Sequence, residues 1–359
     1  MTQQAISMGK IKSSLSLGTY PYTYARTCFM RAALLKKADY EKLMKMTPNE
    51  ITEFLQENAY RKEINGLEGK YSGAELVEVA LNRNLEEAFS KMRRISNKKN
   101  ILKVIDAYLM RYDVRNIKNV LRAKYTHSEA ASDDLIIACG SYSREFFMKL
   151  LKKESIEGIL KENGLVAFDS FEGSLKTFKE TNILGEIESV FEKKYFAHLF
   201  DLAARIPKQG KFFRAFLESE IEITNILNVL RLKRAGVDER SASRYLLPVK
   251  MHFGALLGQL MTSDISKAPE IFSKTPYAKI MEESTKKFLD SGSLIDFETG
   301  LWNFLLNRTK TLIHQHPLSV DVIMGYIFAK DIETRNLKLL MKGKQFGFDD
   351  AFIESQLVM

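Results

Sequence analysis

Apolar residues recur every three or four positions along most of this chain, and no long stretch alternates apolar with polar residues. The first spacing places apolar side chains on one face of an α-helix, whereas a half-buried strand requires alternation. Segment 74–92 shows the helical pattern most clearly, and related helices are predicted at 187–200 and 297–312. The pattern predicts an all-α protein.

A second helical pattern, at 108–124, occurs three times in related form. Its copies align on three asparagines, each with an acidic residue three positions earlier and a basic residue six positions later. The acid–asparagine pairs are Asp113 with Asn116, Glu222 with Asn225, and Glu333 with Asn336. The copies lie about 110 residues apart, whereas solenoid repeats span about 20–50 residues. The spacing therefore predicts three similar helical domains, at 1–127, 128–240 and 241–359.

The three repeat asparagines are expected to be buried. The residues four positions before and after each of them are apolar and share its helical face. A buried amide needs hydrogen-bond partners, because leaving it unsatisfied costs about 1–3 kcal/mol. The acid one turn earlier could orient this amide or a neighbouring base. We interpret the acid and the asparagine as a structural feature of the repeat.

Basic residues form a stripe on another face of the same helices. In the first copy their spacing is i, i+4, i+7 and i+11, which keeps them on one side of the helix. This basic stripe consists of Arg111, Arg115, Lys118 and Arg122 in the first copy and Arg335, Lys338 and Lys342 in the third. The second copy keeps only Arg231. Two interpretations remain open: a solvated face that suits the helix dipole, or a surface that binds an acidic partner.

The first predicted helix, within 20–35, has a different kind of face. Alanines and aromatic residues fall at helical spacing on one side, at positions Tyr22, Ala25, Phe29, Ala32 and Ala33. The start of this helix also carries a tyrosine cluster, Tyr20, Tyr22 and Tyr24. Such a cluster usually packs its rings in a core and keeps its hydroxyl groups hydrated. We expect burial of the cluster, with a binding platform as the alternative.

Composition limits the possible functions. The chain has 359 residues, a net charge of +9 and a pI near 9.2, which suits a nucleic acid, an anionic lipid or an acidic protein partner. The two cysteines cannot form a disulfide framework, so a reducing compartment is expected. No apolar run is long enough to span a membrane, and 1–17 resembles a loose leader rather than a signal peptide.

The sequence offers little for catalysis. The five histidines are not joined by cysteines or clustered carboxylates in a metal-binding pattern. The glycine-rich loop at 65–73 lacks the spacing of a phosphate-binding loop and follows no predicted strand. We therefore predict no catalytic residue, no metal and no cofactor.

The repeated helix also carries a resemblance to a known family. Segment 108–124 resembles the signature of the C subunit of archaeal and bacterial A/V-type ATPases, a relative of the eukaryotic V-ATPase d subunit. Further similarity lies in Tyr24 and Arg26 near the start and in 76–84 and 317–338, in the same order along the chain. The second repeat departs most, because it lacks the basic pair around its asparagine.

The resemblance implies three similar helical domains with pseudo-threefold symmetry, forming a funnel with a central cavity. A protein of this family has no active site. One copy per complex sits at the cytoplasmic face of the membrane on the proteolipid rotor ring, receives the central stalk subunits D and F, and transmits torque; no nucleic acid is involved. On this basis, the basic stripe would contact acidic residues of the stalk or the ring. The competing hypothesis is a free-standing helical adaptor that binds acidic proteins or RNA.

Overall fold

Three consecutive pairs of long helices organise the molecule. The computed structural model describes residues 14–126, 136–315 and 318–359, and all regular elements in these ranges are helical. The pairs are α5 (Gly73–Ile95) with α6 (Lys99–Tyr125), α10 (Gly185–Arg205) with α11 (Gln209–Arg234), and α16 (Ile295–Gln315) with α17 (Val320–Gln345). The prediction of an all-α fold is confirmed. Most of the expected leader, and the predicted boundary at 127, lie outside the described residues.

Shorter helices precede or follow each pair. In the first repeat they are α1 (Pro21–Ala32), α2 (Lys37–Leu43), α3 (Pro48–Glu57) and α4 (Arg61–Asn65). In the second they are α7 (Arg144–Leu151), α8 (Ile156–Glu162) and α9 (Glu172–Thr181). Near and within the third they are α12 (Glu239–Ser243), α13 (Met251–Thr262), α14 (Ala268–Ile271), α15 (Ala278–Ser291) and α18 (Asp350–Gln356). The predicted boundary at 240 falls inside α12, and the division into three domains stays a prediction.

The first and third repeats pack directly against each other. Helix α17 contacts α5 and α1, while α6 contacts α10 and α11 contacts α16. A hydrophobic cluster of the first repeat, centred on Ile51 and Leu81, includes Leu337, Leu340 and Ile353 of the third. Each repeat therefore shares contacts with both of the others. This arrangement leaves most residues of α17 buried.

Each repeat asparagine is buried and forms two hydrogen bonds with the backbone of one residue in a later segment. We call this pair of bonds the asparagine clamp. Asn225 Nδ2 donates to the carbonyl oxygen of Leu247 at 2.8 Å, and Leu247 N donates to Asn225 Oδ1 at 2.8 Å. The same two bonds join Asn116 to Ile137 and Asn336 to Val358. Both ends of each amide are satisfied, as burial requires.

The repeated acids, by contrast, bind other groups. Asp113 accepts from the backbone N–H groups of Ser141 and Tyr142, at 2.7 and 3.3 Å. Glu222 accepts from the hydroxyl group of Tyr277 at 2.8 Å. The third acid, Glu333, accepts from Leu35 N, Tyr60 Oη and Lys330 Nζ. The acid three residues before the asparagine therefore makes a different local contact in each repeat.

Burial of Asp113 gives one testable dependence on pH. Desolvation raises the pKa of Asp113 from 3.8 to about 6, although the two backbone donors and Arg93 oppose this shift. Between these values the folded state binds more protons than the unfolded state. The stability that this group contributes is therefore present below pH 4 and is lost as pH rises towards 6.

We expect the Asp113→Asn variant to lose this dependence. Its free energy of unfolding should change less than that of the original protein between pH 4 and 6, by up to about 3 kcal/mol. Urea titrations at several pH values measure the difference, and Asp290→Asn, at an exposed position, is the control. Parallel pH profiles for the original protein and Asp113→Asn would show that the shift is absent.

The expected burial of the tyrosine cluster is correct for Tyr20, which is buried, and wrong for Tyr22. Tyr22 and Phe29 are 58% and 65% exposed, and the alanines between and after them are also exposed. The buried side instead carries Thr23, Thr27 and Met30. The threonine hydroxyl groups are satisfied there, because Thr23 donates to Ile95 O at 2.9 Å and Thr27 donates to Thr23 O at 2.7 Å. Helix α1 therefore buries its polar side and exposes its apolar side.

Candidate functional site

Every residue of the basic stripe forms an ion pair with a carboxylate of this chain. Most of these carboxylates lie on a different helix from another repeat. The pairs are Arg111 with Glu220, Arg115 with Asp331, Lys118 with Glu188 and Glu192, Arg122 with Glu188, Arg335 with Glu298, and both Lys338 and Lys342 with Glu78. The stripe is thus largely a set of contacts between helices.

One of these contacts recurs at all three junctions between repeats. The base six positions after each asparagine pairs with a glutamate on the first long helix of the next repeat. The three pairs are Arg122 with Glu188, Arg231 with Glu298, and Lys342 with Glu78. The last pair joins the third repeat to the first. Because these cations are about half exposed, each pair alone contributes little, about 0–1 kcal/mol.

A second set of charges meets where α6, α11 and α17 come together. Five positions before the asparagines stand Arg111, Glu220 and Asp331, one from each repeat. The guanidinium of Arg111 donates to Glu220 and to the hydroxyl group of Tyr108. Tyr112 Oη donates to Asp331 Oδ1 at 2.8 Å. We call Arg111, Arg115, Glu220 and Asp331 the central charge cluster.

The central charge cluster is balanced, with two cations and two anions. Burial alone would raise the pKa of Asp331, but Arg115, Arg111 and the Tyr112 hydroxyl group hold this pKa below its ordinary value. The Asp331 carboxylate therefore stays ionised at neutral pH. Glu220 is almost completely buried, with 1% of its side chain exposed. A buried ion pair of this kind depends on both partners, since a lone buried charge is costly.

A cavity of about 350 Å³ lies beside the central charge cluster. All three repeats contribute to its wall, and the residues facing it include Arg115, Lys118, Arg122, Glu192, Thr224 and Trp302. Thr224 of the second repeat occupies the position that Arg115 and Arg335 hold in the other two. The second repeat therefore contributes less positive charge to this region.

The stripe residues divide into two groups by exposure. Arg115 and Arg335, at equivalent positions, keep 44% and 41% of their side chains exposed, and Arg122 and Lys342 are also about half exposed. Arg111, Lys118 and Lys338 are mostly covered. Only the first group presents cations to a partner without first breaking a covered contact.

The described residues show no metal centre and no membrane-spanning segment. Within 14–126, 136–315 and 318–359, no three His, Cys, Asp or Glu side chains come close enough to hold a metal ion. In the same ranges, no helix is both long and apolar enough to cross a membrane. Of the five histidines, His127 and His316 lie outside the described residues.

Comparison with known proteins identifies the family. The sequence model of the ATP synthase (C/AC39) subunit family matches residues 23–356, nearly the whole chain. The chain belongs to this family. The resemblance predicted from the repeated helix is confirmed, since it points to the same family.

Curated relatives agree over their full length. The chain is 33% identical to the A-type ATP synthase C subunit of Methanococcoides burtonii, an alignment that covers 100% of this chain and 99% of the relative. It is 32% identical to the corresponding A-type ATP synthase proteins of Haloquadratum walsbyi and Methanosarcina barkeri, over 96% and 97% of this chain and 100% and 95% of the relatives. As a member of the C/AC39 family, the chain is a structural component of an ATPase complex that is peripheral to the membrane, and is not itself catalytic.

Proposed function

We propose that this chain is the rotor socket of an A/V-type ATPase. In this role, one copy per complex lies at the cytoplasmic face of the membrane on the proteolipid ring, receives the central stalk subunits D and F, and transmits torque between them. The observation that carries the proposal is the equivalent ion pair at all three junctions, Arg122–Glu188, Arg231–Glu298 and Lys342–Glu78. Three equivalent junctions that return to the first repeat are what a closed ring requires.

The position of the charges along the helices supports a funnel. At the position five residues before the asparagine, charges from the three repeats meet in the central charge cluster. Eleven residues later, near the helix ends, each base reaches instead to a neighbouring long helix. Helices that converge at one level and separate at another enclose a tapering space. The cavity beside the cluster, lined by all three repeats, supports the presence of such a space.

The asparagine clamps favour units slightly longer than those predicted from the sequence. Each clamp holds a backbone segment that follows the repeat helix, and the third holds Val358, 22 residues after its asparagine. The equivalent residues in the other repeats are Ile137 and Leu247. We place the ends of the first two units just after these residues, near 138 and 248.

Torque transmission requires junctions that resist shear. Each junction combines packed long helices with an ion pair between the repeats. Arg115 lines the cavity. The partly exposed side chains of Arg115 and Arg335 can meet acidic residues of the stalk in addition to their partners Asp331 and Glu298. The second repeat, with Thr224 in the same place, takes a smaller part in this contact.

The test neutralises the exposed cations without reversing charges in the covered contacts. In Arg115→Gln/Arg335→Gln, the affinity for purified D–F stalk heterodimer should fall about tenfold or more, equal to about 1.4 kcal/mol. Its dependence on salt should also weaken, since two ionic contacts are lost. Binding is measured by titration at several salt concentrations, with unfolding curves recorded in parallel.

Arg231→Gln is the matched control, because this arginine is equally exposed but lies at a junction of the second repeat. Its stalk affinity should stay within about twofold of the original, well under 1 kcal/mol. Unchanged affinity and salt dependence in Arg115→Gln/Arg335→Gln would reject a role for these cations. Absence of any stalk binding by the original chain would reject the socket itself.

A further inference from the structure

The exposed side of α1 is unusual for a helix that packs on a core. Tyr22 and Phe29 stand two turns apart, and Ala25 and Ala32 lie exposed between and beyond them. The opposite side is fixed, because Thr23 and Thr27 are buried and hydrogen-bonded. The helix cannot rotate to hide its aromatic side without exposing these contacts. We call Tyr22, Ala25, Phe29 and Ala32 the outer α1 face.

The outer α1 face belongs to a segment with only positive charge. The chain contains no aspartate or glutamate before Asp39, whereas Arg26, Arg31, Lys36 and Lys37 lie on or just after α1. Arg26 stands over the ring of Phe29, 5.8 Å from its centre. A partner that covers this face therefore meets an aromatic strip bordered by cations, which favours acidic groups at its own edges.

A cationic cavity continues from the C-terminal end of the same face. It measures about 230 Å³ and is lined by Ala32, Arg31, Lys36, Lys37, Lys310 and Glu333, among others. Glu333 is the only carboxylate side chain among its described lining residues, and three donors already bind it. The four lining cations, Arg31, Lys36, Lys37 and Lys310, outnumber this carboxylate. Lys37 also pairs with Glu41 at 3.9 Å, and Met359, the last residue, lines the same cavity.

Arg31 is the least satisfied of these cations. Its Nη2 donates to Thr309 Oγ1 at 3.2 Å, but its Nη1 is buried and has no hydrogen-bond partner among the described residues. Burial lowers the pKa of Arg31 to about 10, and the pKa of Lys310 is lowered first by burial and then by Arg31 itself. Two neighbouring cations that disfavour each other are what an incoming anionic group would stabilise.

From the exposed outer α1 face and the cationic cavity beside it, we propose that this face docks an amphipathic helix of another protein of the complex. An acidic side chain of that helix enters the cavity at Arg31 and Lys310. The alanines allow the two backbones to approach closely, and the rings of Tyr22 and Phe29 pack on either side of the crossing helix. A lipid surface fits less well, because alanine offers little apolar area to bury in a bilayer. The surface shares no residue with the basic stripe, so the inference does not depend on the stalk proposal.

Photocrosslinking in the purified complex identifies the occupant directly. Ala25 is replaced by p-benzoylphenylalanine, the assembled ATPase is irradiated, and mass spectrometry locates the attached group. The control is the same substitution at Glu53, which is exposed on α3. We expect Ala25 to crosslink to a helical segment of another protein of the complex that contains aspartate or glutamate, and Glu53 not to do so. Crosslinks to lipid, to a segment without acidic residues, or to no other molecule would overturn the proposal.

Substitutions measure the contribution of the face. Retention of the chain in the complex during a salt wash should fall at least fivefold in Tyr22→Ser/Phe29→Ser, and also in Lys310→Glu. Leu289→Ser is the matched control, because Leu289 is 62% exposed on α15, away from α1. Equal losses in this control and in the α1 variants would overturn the proposal, as would full retention of the α1 variants. If a variant unfolds, the crosslink at Ala25 decides alone.

Discussion

Replacing Asn225 by alanine should lower the free energy of unfolding by about 2–5 kcal/mol. The side chain is fully buried and forms two bonds of 2.8 Å with the backbone of Leu247, which is itself buried. Alanine removes both partners at once, and each backbone group left unsatisfied costs about 1–3 kcal/mol. Because alanine favours the helix slightly more than asparagine, local helix formation offsets only a small part of this loss. Urea unfolding followed by circular dichroism measures the change.

The same prediction applies to the equivalent asparagines of the other two repeats. Asn116→Ala and Asn336→Ala should lose similar stability, since each breaks the same pair of backbone bonds. Asn119→Ala is the control on the same helix as Asn116, and its exposed side chain makes it neutral to within about 0.5 kcal/mol. A loss below about 1 kcal/mol in Asn225→Ala would mean that water or a local shift replaces the clamp.

The clamps were predictable from the sequence only in part. Apolar neighbours four positions on either side predicted that the asparagines face the interior, and the structure buries all three. Their partners could not be predicted, because a backbone carbonyl more than 20 residues away leaves no trace in residue type. The acid at the common position shows the same limit, as Asp113 and Glu333 bind unrelated groups.

The junction pairs did have a signal in the sequence. The first long helix of each repeat carries a glutamate at the same position relative to its apolar residues. These glutamates, Glu78, Glu188 and Glu298, lie three residues before Leu81, Phe191 and Leu301. Aligning those helices by their acids as well as by their apolar residues would have shown one glutamate per repeat. The basic stripe would then have had three candidate partners within the chain.

The face of α1 shows a different limit. Helical periodicity locates an apolar face, but it does not say whether the rest of the protein covers that face. Here Thr23 and Thr27 pack inward because their hydroxyl groups find backbone acceptors. The apolar pattern therefore identified which residues share a side of the helix, but that side is the exposed one.

The central charge cluster should show the other large effect, in Glu220→Ala. This change leaves the guanidinium of Arg111 without its carboxylate where only 19% of the arginine side chain is exposed. Breaking a buried ion pair from one side costs about 3–5 kcal/mol, because the remaining charge stays desolvated and unpaired. Unfolding in urea measures the loss. Glu218→Ala, on the same helix but with partially exposed partners, should cost under about 1 kcal/mol.

The double variant Arg111→Leu/Glu220→Leu separates the pair from its surroundings. If the cost of Glu220→Ala comes from the unpaired arginine, removing both charges should recover most of the stability, since apolar residues often replace a buried pair at little cost. The coupling energy between the two sites should reach about 1–3 kcal/mol. If the losses of unfolding free energy at the two sites were additive, Glu220 would act through packing. The ion pair between the first and second repeats would then contribute no stability.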